Sequence, residues 1–76
     1  MSRRFKVVVE WDSDGREYVA RVPALPGCVT HGKTRPEVLE RVREAIEGYI
    51  EALSASGDPI PPGDADVTIE EVEVTA

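Results

Sequence analysis

The sequence predicts an α+β fold: a small sheet with one helix packed on one of its faces, in the order β-β-β-α-β. Three observations predict it. Two N-terminal segments alternate apolar and polar residues with the period-2 pattern of a strand. A long segment then repeats apolar residues at three- and four-residue spacing, as a helix does. Turn residues, chiefly Gly, Pro and Asp, punctuate the boundaries.

The first strand is residues 5–11, with Phe5, Val7, Val9 and Trp11 on one face and Lys6, Val8 and Glu10 on the other. Asp12-Ser13-Asp14-Gly15 is a turn, in which Asp and Ser bond their own backbone and Gly15 is expected to supply a positive φ. Residues 16–22 alternate again, with Tyr18, Ala20 and Val22 on one face, which completes a hairpin. Pro23 and Pro26 lack the N–H that a sheet ladder uses, so 23–27 breaks the pattern. Cys28–His31 is a short third strand ended by Gly32.

Thr34-Arg35-Pro36-Glu37 has the spacing of a capping box, with Pro36 in the first turn where a missing N–H costs nothing. The helix stripe is Val38, Val42, Ala45, Ile46, Tyr49, Ile50 and Leu53, broadened by Leu39. Gly57, followed by Asp58-Pro59, stops it. Gly48 is an unfavourable residue inside a helix unless it permits a close approach. A last strand from about Asp66 to Val74 changes parity at Glu70-Glu71, since Val67 and Ile69 share one face and Val72 and Val74 the other. That predicts a bulge or a strand covered on both faces. A right-handed crossover would set this strand parallel to the first, in the sheet order 3-2-1-4.

With 76 residues the chain is one domain, 1–76. A domain this small buries only about 60–65% of its unfolded surface, so a partner or self-association would help it. A dimer or larger assembly is expected. One cysteine, Cys28, excludes an internal disulfide and points to a reducing, cytoplasmic setting. No apolar run approaches the roughly 18–20 residues of a membrane span. No cofactor or metal site is expected.

The net charge of −6 hides an asymmetry. Residues 1–43 carry all nine Lys and Arg against six acidic residues, while 44–76 carry nine acidic residues and no basic one. Such a surface repels phosphate backbones, so direct nucleic-acid binding is not expected, and it attracts a basic protein. The electrostatic candidates for partner contact are Glu44, Glu47, Glu51, Glu70, Glu71 and Glu73. Acidic residues also serve simple solubility, which is the commoner reason for them.

Catalytic constellations are weak. Cys28 and His31 stand three apart on a strand, which puts them on opposite faces. Glu10, Asp12 and Asp14 carry carboxylates of the type a two-metal nuclease uses. Asp12 and Asp14, however, sit where a turn already employs aspartate.

The run from Tyr18 to Gly32, with its core Pro23-Ala24-Leu25-Pro26-Gly27-Cys28, resembles the signature of the HicB family. That family follows it with a helix of the kind T-x-x-E-A-x-x-x-A-x-E-A, here Thr34 to Ala45, and an acidic-Pro-Ile-Pro tail, here Asp58-Pro59-Ile60-Pro61. The resemblance covers residues 5–62. It implies a partly degraded ribonuclease-H-like fold without the nuclease. It also implies an antitoxin that binds a small basic HicA-type toxin and occludes its mRNA-cleaving site. Many relatives add a C-terminal DNA-binding module, for which the residues after the last strand leave no room. The competing expectations are a metal-dependent nuclease that retains ribonuclease-H-like chemistry, and a stand-alone homo-oligomeric structural domain.

Overall fold

The computed structural model describes residues 3–63 and 67–75. Its elements are β1 (Val8–Asp12), β2 (Glu17–Arg21), β3 (Val29–Gly32) and α1 (Arg35–Ser56). The strands form one antiparallel sheet in the order β1-β2-β3. Register pairs Val9 with Ala20, Trp11 with Tyr18, and Tyr18 with Gly32. This puts the expected faces together, and Trp11 meets Tyr18 edge-on with ring centroids 5.0 Å apart.

The hairpin turn differs from expectation in one detail. Asp12 does bond the local backbone: its Oδ1 accepts the Asp14 N–H at 3.1 Å. The positive φ, however, belongs to Arg16 at 53°, not to Gly15. A Cβ on Gly15 would lie 2.9 Å from the Asp12 carboxylate, a side-chain end that can move aside at little cost.

The Pro-rich segment 23–27 is a double turn. Leu25 N–H donates to the Val22 carbonyl, Cys28 N–H to the Leu25 carbonyl, and Val22 N–H to the Cys28 carbonyl, each at 3.0 Å. Gly27 takes φ 82°, which an L side chain resists. The loop thereby points Leu25 inward, where it is fully buried.

Helix α1 starts and ends as its sequence requires. Thr34 Oγ1 accepts the Glu37 N–H at 3.2 Å, while the Glu37 carboxylate accepts the N–H of Lys33, one residue earlier than a capping box would have it. At the other end Gly57 is left-handed at φ 74°. The N–H groups of Gly57 and Asp58 close back on the Ser54 and Leu53 carbonyls, a Schellman motif.

The buried core is Ala20, Val22, Leu25, Cys28, Val38 and Val42, with Phe5, Val7, Val9, Tyr18, Ala45, Ile46 and Tyr49 packed around it. Tyr49 also donates its hydroxyl to the Pro26 carbonyl at 2.9 Å, which ties helix to loop. Leu39, expected to broaden the stripe, is 42% exposed.

Gly48 makes no close approach either. Nothing lies within 4 Å of a Cβ built on it. Gly48→Ala is therefore expected to stabilise the protein by about 1 kcal/mol, the helix-propensity difference, as a rise in urea midpoint.

The expected fourth strand is not formed as a strand. Residues 67–75 have no strand assignment, and Ile69, Val72 and Val74 are 75%, 82% and 80% exposed. A strand needs a ladder partner and a face to bury, and among the described residues these have no ladder partner. Asp66, where that strand was expected to begin, lies outside the described residues. The segment nevertheless arrives beside the start of β1: Lys6 Nζ donates to the Val67 carbonyl at 2.5 Å.

Candidate functional site

Length mismatch creates an open apolar feature along the second half of the helix. A 22-residue helix is about 33 Å long, while strands of four and five residues span only about 13–17 Å. The helix therefore outruns the sheet. Its buried residues, Val38 and Val42, lie in its first half. Ile50 and Leu53 continue the same stripe past the sheet and are only half-buried.

After Gly57 the chain turns back and sets Ile60 against this overhang. The result is an open groove of about 540 Å³ lined by Glu47, Ile50, Glu51, Ser54, Ala55 and Ile60. Its floor is apolar, and its charged lining residues are two exposed glutamates one helical turn apart. A like-charged i,i+4 pair costs a helix a few tenths of a kcal/mol. The last turn of α1 carries no basic residue to offset the negative end of the helix dipole. The groove thus combines apolar surface with negative potential, which suits a basic protein segment that has apolar anchors.

Of the six acidic candidates, the structure brings Glu47 and Glu51 together at this groove. Glu44 is exposed one turn earlier and does not line it. Glu70, Glu71 and Glu73 are exposed on the segment after the helix. Ile60 was the lining residue that charge counting missed. Its signal was a lone large apolar residue between Pro59 and Pro61, where a stiff connector gives it no core of its own.

The other candidate groups are engaged in structural roles. Cys28 is buried, and burial pushes its thiol up, away from the thiolate a nucleophile needs. His31 lies on the outer sheet face, with Nδ1 3.2 Å from Glu17 Oε2. Glu10 pairs with Arg21 at 2.7 Å, on the surface where such a pair contributes little. Asp12 holds its turn. Among the described residues no three His, Cys, Asp or Glu side chains are grouped to hold a metal ion. No helix among them is long and apolar enough to cross a membrane.

The fold and this site define a small sheet-and-helix domain that carries an open, apolar-floored groove edged by two glutamates. The chain belongs to the HicB-like antitoxin family of bacterial toxin–antitoxin systems, whose model matches residues 5–75. It is 45% identical over 73 residues to a UPF0150 protein of Thermoplasma acidophilum, covering 96% of this chain and 99% of that one. It is 54% identical over 48 residues to a UPF0150 protein of Archaeoglobus fulgidus, covering 63% and 68% of the two chains. It is 33% identical over 57 residues to a 14.9 kDa protein of Haemophilus phage HP1, covering 75% of this chain and 41% of that one. No solved structure matches.

Proposed function

We propose that this protein is a cytoplasmic, non-catalytic antitoxin that binds a small basic toxin of the HicA type and blocks its mRNA-cleaving site. The groove beside Glu47 and Glu51 is the observation that carries this reading. It offers apolar surface for anchoring and negative charge for steering a basic partner. Family membership supports it. Glu44, one turn earlier on the helix, and Glu70, Glu71 and Glu73, on the segment after it, add negative charge as weaker contributors, because exposed charges beyond a Debye length are screened. The reading includes self-association, and a ribonuclease-H-like sheet of order 3-2-1-4 whose fourth place lies beside β1.

The test is binding to the product of an adjacent short, basic open reading frame. Co-purification at low salt is expected, with affinity falling as salt rises. Glu47→Lys with Glu51→Lys is expected to weaken binding at least about tenfold, mainly through the association rate. No complex at low salt, or unchanged affinity in this double variant, refutes the reading. A nuclease would be revealed by magnesium- or manganese-dependent RNA cleavage that Asp12→Asn abolishes.

A further inference from the structure

The groove at the end of α1 carries charge that the chain itself does not answer. Glu47 and Glu51 take part in none of the ion pairs of the described residues. No Lys or Arg follows Arg43 in the sequence. A basic segment of another protein would supply the missing counter-charge.

The walls decide what form that segment takes. Glu47, Ile50, Glu51, Ser54 and Ala55 come from α1, and Ile60 comes from the connector after it. Neither wall offers a sheet edge. The backbone of α1 bonds within its own helix. In the connector Pro59, Pro61 and Pro62 have no N–H, and the Asp58 N–H is committed to the Leu53 carbonyl. An extended segment laid here would find no ladder for its own N–H and C=O groups, and an apolar floor makes that costly. A helix satisfies its backbone internally and needs only side chains to pack against.

The spacing also suits a helix. Positions 47, 51 and 55 form one row and 50 and 54 the next, the i,i+4 rows between which the ridge of a second helix settles. From Glu47 to Ala55 the floor runs about 12 Å, a little over two turns. Ser54 and Ala55 are small, so the two axes can approach to the near end of the usual range of about 8–10 Å. Glu47 and Glu51 stand one turn apart, which matches two basic side chains four residues apart on a facing helix.

We propose that this groove binds a basic amphipathic α-helix of the partner. Lys or Arg residues four apart meet Glu47 and Glu51, and apolar residues on the same face seat between Ile50 and Ile60. The inference rests on the reading of the groove as the docking site of a basic protein, and it adds the form and the residue pattern of the docked segment.

Titration of the full chain with an alanine-based helical peptide, carrying two lysines four residues apart and leucines on the same face, tests it. Saturable binding at low salt is expected, with amide shifts centred on residues 47–60. A proline at the centre of the peptide is expected to weaken binding at least about tenfold, because it breaks the helix. Glu47→Gln with Glu51→Gln, and separately Ile60→Ala, are each expected to cost about tenfold with the helical circular dichroism unchanged. Absence of binding, equal binding of the proline peptide, or unchanged affinity in the glutamine variant overturns the proposal. If the helical peptide fails while the product of the adjacent basic open reading frame binds, and loses binding in the Glu47→Lys, Glu51→Lys protein, the helix inference falls and the toxin reading stands. If the peptide binds and that product does not, the toxin reading falls and the groove remains a site for a basic helix.

Discussion

Leu25→Ala is expected to lower the free energy of unfolding by about 3 kcal/mol, within the 2–5 kcal/mol usual for buried leucines. Leu25 is fully buried, and its backbone is held by bonds to Val22 and Cys28, so the loop cannot easily collapse into the space left. The core contains few fully buried side chains to share the loss. A domain of this length has a total stability of about 4–11 kcal/mol, so a quarter or more of it is at stake. Urea unfolding followed by circular dichroism measures this directly, as a fall in midpoint with the slope unchanged. The melting temperature should fall by more than about 10 °C. A loss under about 1 kcal/mol would mean that the Pro-rich loop is not part of the core.

Gly32→Ala should be nearly as damaging, for the opposite reason. A Cβ on Gly32 would lie 2.7 Å from the backbone nitrogen of Val38 and 2.8 Å from its Cα. These are backbone atoms in the first turns of α1, so relief requires moving the helix, not rotating a side chain. Overpacking of this kind costs about 1–3 kcal/mol. The position has no positive φ, so the effect is steric. Gly48→Ala is the internal control, since the same chemical change in open space should raise stability. Opposite signs for the two glycines are the expected result. Equal signs would mean that α1 does not approach β3 as closely as the 2.7 Å contact requires.

These two sites also separate what is local from what is not. The helix limits were legible because their causes lie within a few residues. Thr34 caps its own first turn, and Gly57 turns the chain by its own left-handed backbone. The paired faces of the hairpin were legible because alternation forces Val9 and Trp11 to the side that Ala20 and Tyr18 also occupy. The turn was half-legible: the role of Asp12 is local and was expected, but the positive φ falls on Arg16, one residue after the glycine that composition singled out.

The candidate site was legible as charge and not as shape. Six glutamates stood out by composition, yet composition cannot tell that Glu47 and Glu51 flank Ile50 and Ile60 while Glu44 does not. That arrangement arises because a long helix overhangs a short sheet and the connector folds back beneath it.

The sequence alone determined three things about this protein: the order of the first four elements, the helix caps and the acidity of the second half. Each follows from spacing or from a residue's own backbone preference. Tertiary structure alone decided that Gly32 seats the helix, that Leu39 and Gly48 face solvent, and that an apolar groove opens between the acidic residues. It also left residues 67–75 without a strand assignment. Alternation is a property of the segment, whereas a strand exists only when a neighbouring edge supplies its hydrogen bonds and a face to bury.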